Sequence, residues 1–379
     1  MSFVGLKIVF WVSLLIIFYT YLGYPFFLWV ISLFFSSPVK AKRIIPYISF
    51  VVVAYNEENY IEDKINNILE LDYPEDMIEV IIGSDCSTDL THAIVLKFKS
   101  KNVELIIASE RMGKVNVLKK IIPQVQGEIV VFSDARQLFK KDALMNLVAN
   151  FADEQVGCVS GELILTDRGK SAVGSGMGFY WNYEKFLREK ESNIGSMLGA
   201  TGAIYAIRRK LFVSPPDDTI LDDMFIPLKI IEQGFRAIFT KKALAFDKAS
   251  GSSSVEFRRK VRTLAGNFQV FVQCANLFNP FKSKIWWQFF SHKFLRAFAF
   301  VFLLLIFCAN FFLRSEEIYN IIFVGQLIFY VLGIFGWGLD KMHKKIKLFT
   351  LSYVFCLLNI AAMIGFIVFV FGKQKVVWK

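Results

Sequence analysis

Histidine and cysteine are both scarce. The three histidines, His92, His292 and His343, are scattered along the chain, which excludes a metal centre built on histidine ligands. The five cysteines, Cys86, Cys158, Cys274, Cys308 and Cys356, form no Cys-x-x-Cys pair. A zinc ribbon and a disulfide framework are therefore excluded, and the usage fits a reducing compartment. No basic block carries a recognisable nucleic-acid-reading motif, so nucleic acid is excluded as a partner. A phosphate-gripping P-loop is absent as well. Around Gly113-Lys114 the motif requires glycine at 108 and serine or threonine at 115, and the chain has Ala108 and Val115. Internal repeats and low-complexity linkers are also missing.

Formal charge is missing over long stretches. None occurs in Ile8–Val39, Ala297–Leu313, Ile318–Leu339 or Leu348–Gly372. The whole chain is 55% hydrophobic with 41 Phe, too apolar for an ordinary soluble enzyme. A spanning helix needs roughly 20 apolar residues, so the four runs predict four transmembrane segments. The run from Ala297 is the shortest. It can extend through Phe294 and Leu295 if Arg296 snorkels to the interface. Ile8–Val39 exceeds the ~7–15-residue core of a cleaved signal peptide, so it reads as a retained anchor, kinked at Pro25.

The expected organisation is an anchor over 1–39, a soluble domain over 40–275, an interfacial segment rich in Trp, Phe and Lys over 276–293, and three spans over 294–379. Lys40, Lys42 and Arg43, then Lys284, Lys293 and Arg296, then Lys341, Lys344, Lys345 and Lys347 all fall on one side if the domain is cytoplasmic. Lys373, Lys375 and Lys379 fall on the other. The expectation is an integral protein of the inner (plasma) membrane with a cytoplasmic domain. The net charge of +11 suits membrane lipids with anionic headgroups and an anionic substrate.

Within the soluble part, short apolar runs alternate with amphipathic stretches. "ISFVVVA" (48–54), "EVIIGSD" (79–85), "VELIIAS" (103–109) and "EIVVFSD" (128–134) predict strands. Helices are expected near 60–71, 88–99, 114–122 and 142–152. This alternation predicts an α/β fold with a doubly wound, mostly parallel sheet. Ligands in such sheets sit beyond the carboxyl ends of the strands, which singles out Asn56, Glu57, Asp85, Arg111, Lys114 and Asp134. Farther on, 219–235 places Asp222 and Asp223 at a helix start, and 255–271 is a basic amphipathic helix.

Each of these residues has two readings. Asp85 can accept an N–H or hydroxyl of a nucleoside, or be solvated while Ser87 or Asp89 caps the next helix. Arg111 and Lys114 can neutralise a diphosphate or form a solvated basic face. Asp134 can hold a divalent ion shared with a diphosphate, since such an ion needs few protein ligands. Otherwise it caps a helix, and Arg136 is a surface residue. Asp222 and Asp223 can supply a general base or merely complement the helix dipole. Arg259 and Arg262 share one helix face and can hold phosphates or anionic lipids.

Taken in order, "VVVAYNEE", "GSDCSTDLT", "ERMGKVNVL", "VVFSDA", "VSGEL", "GATGAIYAIRR", "LDD" and "RRKVR" resemble the membrane-bound family 2 glycosyltransferases, which include cellulose, chitin and hyaluronan synthases. The resemblance implies a GT-A-type fold and an inverting, metal-dependent transfer of sugar from a nucleotide-sugar, with UDP favoured, to a growing cell-surface or lipid-linked glycan. The alternatives are a single transfer to a lipid or polyprenyl phosphate and a non-catalytic membrane assembly subunit. It implies that Asp85 binds the nucleobase, with Asn56 and Glu57 nearby. Arg111 and Lys114 would lie near the nucleotide, and Asp134 would coordinate Mg2+ or Mn2+. Asp223 would be the base with Asp222 in support, and Arg262 would contact the diphosphate. Two departures stand out. Arg136 occupies a place where the family often has a second aspartate. Arg259, Arg262 and Thr263 stand where processive members carry Gln-x-x-Arg-Trp, so the tryptophan that stacks on an acceptor sugar is replaced by threonine.

Overall fold

A computed structural model describes the chain except residues 1–2, 167–171, 249–252, 343, 345 and 373–379. His343, Lys345, Lys373, Lys375 and Lys379 lie outside the described residues. By packing, the chain divides into two compact units. One is Phe35–Thr166 with Arg188–Lys248; the other is Met1–Phe34, Asp167–Leu187 and Ala249–Gln374.

The first unit is built on one eight-stranded sheet. Its strands are β1 (Ile48–Ala54), β2 (Ile78–Ser84), β3 (Val103–Ile107), β4 (Ile129–Asp134), β5 (Leu138–Phe139), β6 (Val156–Thr166), β7 (Tyr205–Arg208) and β8 (Arg236–Lys248). They lie in the order β3-β2-β1-β4-β7-β6-β8-β5. The first four are parallel, β7 enters antiparallel, and β6 and β8 run parallel to each other. The sheet is therefore mixed and mostly parallel, with helices between its strands. Every residue of β1 is buried, as expected for a strand covered on both faces.

Register brings the loops together. Ala54 pairs with Ser84, and Val53 pairs with Asp134. The segments after β1 and β2 and the end of β4 therefore emerge at one edge. Four helices follow the first four strands in the sequence: Ile61–Leu69, Thr91–Leu96, Lys114–Ile121 and Ala143–Val148. The expected strands and helices are all present with shifted ends.

A charged side chain stands inside this apolar sandwich. Lys64 is fully buried, and its ammonium donates to Ser133 Oγ at 2.8 Å and to the Gln137 carbonyl at 2.7 Å. It also lies 4.3 Å from the centre of the Phe139 ring. Burial pushes its pKa down to about 7, while nearby Asp134 works in the opposite direction. The lysine thus braces the turn that joins β4 to β5.

The second unit is helical. Among the described residues three helices are long and apolar enough to cross a membrane: Phe3–Phe34, Glu317–Lys341 and Lys347–Val370. A bent pair, Trp286–Ala297 with Ala299–Leu313, turns through 55° and makes a fourth span if the two halves count as one. After the first helix come a bent pair and two long helices, the bent pair falling on the shortest of the three later uncharged runs. The first helix starts before Ile8 and ends at Phe34, where the sequence Ser36-Ser37-Pro38 no longer favours helix. A π-turn over Tyr19–Gly23 precedes Pro25. Proline lacks an N–H, so the Tyr21 carbonyl loses its helical donor. The Tyr183 hydroxyl donates to that carbonyl at 3.2 Å.

Arg296 is paired inside the unit. Its guanidinium is bound by buried Glu184 and lies over the rings of Tyr180 and Tyr183, at 5.1 and 5.2 Å. A carboxylate inside the unit captures it more strongly than interfacial water would. The basic helix, Ser253–Gln273, belongs to this unit and packs on Lys347–Val370, with the Phe268 and Phe366 rings 5.2 Å apart.

The brace at Lys64 leads to a prediction. Lys64→Ala leaves the Gln137 carbonyl without its donor and opens a void, which costs about 2–4 kcal/mol. Thermal unfolding of the full chain in detergent should show a lower midpoint for Lys64→Ala than for Lys64→Met. An unchanged midpoint in Lys64→Ala would remove the bracing role.

Candidate functional site

The edge formed by the ends of β1, β2 and β4 gathers most of the residues singled out in the sequence. After β1 the chain turns sharply, with Asn56 at φ 52°. The Asn56 N–H donates to Ser87 Oγ at 3.1 Å, and its side-chain oxygen accepts the Thr88 N–H at 2.8 Å. The Glu57 N–H donates to Thr91 Oγ1 at 3.0 Å. These bonds tie the β1 loop to the β2 loop. Asp89, just before the N-cap residue Leu90 of the following helix, accepts the Thr91 N–H at 3.0 Å.

Asp85 is not solvated. It is fully buried, and its carboxylate accepts the N–H of Met112 at 2.8 Å and that of Gly113 at 3.0 Å. Gly113 adopts φ 87°, a left-handed conformation that glycine takes without strain. Asp85 therefore fastens the loop that opens helix Lys114–Ile121 and so aims Lys114. Arg111, in the same loop, stacks on Tyr55 with its guanidinium carbon 3.8 Å from the ring centre.

Lys114 is the junction of the site. Its ammonium stands 3.0 Å from Asp134 Oδ1 and 3.4 Å from Asp222 Oδ2. Burial alone would lower its pKa, but Asp134, Asp222 and Asp223 outweigh burial and raise it. Asp134 is about half exposed (46% for its side chain), so it faces the cleft rather than capping a helix. Asp222 is buried; among the described residues its Oδ2 has no hydrogen-bond partner and faces the Lys114 ammonium.

Asp222 and Asp223 form the first turn of helix Asp222–Glu232, where the dipole favours carboxylates. The Gly202 N–H donates to Asp223 Oδ2 at 3.1 Å. A Cβ at Gly202 would come within 2.9 Å of that oxygen, so the approach depends on glycine. Burial, and next the charge of Asp222, push the Asp223 pKa up to about 6, with Lys114 working in the opposite direction. Two adjacent acids thus sit in different surroundings.

Arg136 is not an idle surface residue. Its guanidinium grips Glu57 with three hydrogen bonds of 3.1–3.3 Å and lies 5.0 Å from the centre of the Tyr60 ring. Where a second metal-binding acid was looked for, the structure has an ion pair joining the β1 loop to the turn after β4.

Further residues shape the site without having been singled out in the sequence. Tyr205 is fully buried and stacks on Phe132, with ring centres 4.6 Å apart. Asp222 and Asp223 both contribute to raising its pKa, after burial, and its hydroxyl has no partner among the described residues. Arg188 donates to Thr201, and the Thr201 N–H donates to Ser160 Oγ at 2.9 Å, which fixes the turn carrying Gly202. The motif "GATGAIYAIRR" contained Gly202 and Tyr205; Arg188 stands in a long polar helix and gave no signal. Arg259, Arg262 and Thr263 lie on helix Ser253–Gln273 of the helical unit. There Arg259 faces Glu256 at 3.7 Å, and the Thr263 hydroxyl donates to the Arg259 carbonyl at 3.0 Å.

Among the described residues no group of three or more His, Cys, Asp or Glu side chains forms a ready cage for a metal ion. The donors present are nevertheless hard oxygens. Asp134 is half exposed, and carboxylates outnumber the one ammonium at Lys114. A magnesium or manganese ion fits such a set if phosphate oxygens and water complete its shell.

Comparison with known proteins agrees with this geometry. The family model described as glycosyl transferase family 2 matches residues 49–213. A poly-beta-1,6-N-acetyl-D-glucosamine synthase of Staphylococcus aureus is 25% identical over 243 residues, 62% of this chain and 58% of that protein. The match therefore spans less than two thirds of that relative's length. A beta-monoglucosyldiacylglycerol synthase of a Nostoc species is 26% identical over 193 residues, 49% of this chain and 41% of that protein. Among solved structures, a mannosyltransferase of Pyrobaculum calidifontis in complex with GDP-mannose and Mn2+ has the same fold, with a TM-score of 0.77 and 21% identity over 97% of this chain and all of that one. With its matching segment over 49–213 and its fold, the chain carries a domain that matches the family 2 glycosyltransferases.

Proposed function

We propose that the chain is an inverting glycosyltransferase that moves a sugar from a nucleotide-sugar to a growing cell-surface or lipid-linked glycan. It acts at the cytoplasmic face of the membrane. The single observation that carries this reading is the cluster of Asp134, Lys114, Asp222 and Asp223. It joins a half-exposed acid, a buried cation and an acid with a raised pKa at one sheet edge.

The roles follow from the surroundings of each group. Lys114, held by Asp85 through the 112–113 loop, meets the charge of the departing diphosphate. Stacked Arg111 and Tyr55 flank the nucleoside, with Asn56 and Glu57 alongside. Asp85 acts on the nucleotide by shaping that loop, because its carboxylate is already engaged by two N–H groups. Asp223 takes the proton of the acceptor hydroxyl as it attacks the anomeric carbon from the face opposite the leaving group. Asp222 keeps Lys114 in place and raises the proton affinity of Asp223. Asp134 would hold a Mg2+ or Mn2+ ion, which when bound adds positive charge where the leaving group becomes negative. The fold neighbour solved with GDP-mannose and Mn2+ is in keeping with a nucleotide donor and a divalent ion. A UDP-linked donor is the reading the motifs favour. By the motif resemblance alone, Arg262 would contact the diphosphate, and Arg259 and Thr263 would belong to the acceptor and diphosphate region.

A second reading is a single transfer to a lipid or polyprenyl phosphate. Thr263 favours it, since threonine cannot stack on a growing glycan. The match to a glycolipid synthase points the same way.

Three outcomes test the scheme in membranes supplied with labelled UDP- and GDP-sugars. Asp223→Asn should lower kcat/KM about 10²–10⁴-fold while leaving nucleotide binding close to that of the wild type; full turnover would remove the base assignment. Because the base must be unprotonated, kcat/KM should fall as pH drops through about 6, the value to which the Asp223 pKa is pushed. A profile flat from pH 5 to 8 would contradict this. Gly202→Ala should displace the Asp223 carboxylate and lower kcat at least tenfold, and wild-type kcat in that variant would show that the contact is dispensable.

A further inference from the structure

The helical unit holds a cavity of about 900 Å³. Helices Ser253–Gln273, Ala299–Leu313, Glu317–Lys341 and Lys347–Val370 contribute to its wall. On the third of these, the lining residues are Tyr330, Gly333, Ile334, Trp337, Asp340 and Lys341. Their spacing of three and four places them on one helix face. From Tyr330 to Lys341 that face rises about 16 Å. One leaflet of a bilayer has a hydrocarbon depth of about 15 Å, half of the whole. The cavity therefore has the length of one leaflet.

Its two ends differ. At one end stand Ser254, buried Asp340 and exposed Lys341, whose ammonium lies 3.9 Å from the centre of the Trp337 ring. A tryptophan beside a lysine at the end of a spanning helix marks the membrane interface. Towards the other end the wall includes aliphatic and aromatic side chains such as Leu304, Phe300 and Met363. Leu304 and Ile334 line the cavity and yet are 52% and 66% exposed, so it opens sideways towards the space a bilayer would fill.

We propose that this cavity binds one anionic phospholipid, with an acyl chain along the 330–341 face and its phosphate beside Lys341. Length selects the occupant as a lipid chain, and the apolar wall excludes a stable column of water. The charge at the mouth selects the headgroup. Lys344 and Lys347 follow Lys341 in the sequence and are exposed, so the segment continuing from that end adds further cations. The site is independent of the transferase reading and goes beyond it.

Native mass spectrometry of the full chain in mild detergent tests the proposal, with phosphatidylglycerol or phosphatidylcholine added. The wild type should retain one phosphatidylglycerol in preference to phosphatidylcholine. Leu304→Trp and Ile334→Trp, which fill the cavity from two different helices, should each weaken retention at least tenfold. Lys341→Gln should reduce the preference for phosphatidylglycerol about fivefold. Ile321→Trp, at an exposed position of the same helix outside the cavity wall, should behave as the wild type. In parallel, a phosphatidylglycerol with a photoreactive acyl chain should label the 330–341 peptide of the unaltered protein. Unchanged retention in both tryptophan variants overturns the site, as does labelling confined to peptides outside the cavity.

Discussion

The ion triad of Lys114 with Asp134 and Asp222 is the contact on which the site depends. A largely buried ammonium is costly unless carboxylates compensate it. Here two flank it directly and a third acts from close by. The compensation works across distance in the chain, because it joins the start of one helix, the end of β4 and the start of another helix. Asp85 completes the arrangement from below, holding the loop that launches Lys114. Removing Lys114 would leave buried Asp222 without a counter-charge, whereas removing Asp134 would leave the ammonium with Asp222 alone. The same interaction that locks the loops would also assemble the chemistry proposed above.

Surroundings separate the roles of otherwise similar acids. Asp134 reaches the cleft and keeps a half-exposed carboxylate. Asp222 is buried against Lys114. Asp223 receives one N–H from Gly202 and has its proton affinity raised by burial and by its neighbour. Arg136 supplies a cation that Glu57 neutralises, so the turn after β4 is held to the β1 loop by an ion pair.

Much of the first unit was legible in the sequence, because parallel strands covered on both faces are uninterrupted β-branched runs. β1 to β4 and the residues at their ends could be read directly. β5 to β8 could not. β5 has two residues, β7 has four within a Gly- and Ala-rich stretch, and β8 carries Lys241 and Lys242 in the middle of its run. Their strand character comes from pairing partners far away in sequence. Burial was equally hidden. Nothing local distinguishes Lys64 from a solvated helix lysine, or Asp85 from a solvated carboxylate. In the helical unit, uncharged runs marked the long spans. The bend near Ala297 and the capture of Arg296 by Glu184 depend on packing and were not visible.

The most direct test of the account is a double-mutant cycle between Lys114 and Asp134, read as kcat/KM with the natural donor. Lys114→Met, Asp134→Asn and the double variant would be compared with the wild type. If the two side chains act as one unit, the double variant should be little worse than the poorer single variant, with a coupling energy of about 1 kcal/mol or more. Losses that simply add would mean that the cation and the acid work separately, and the site as described would be wrong.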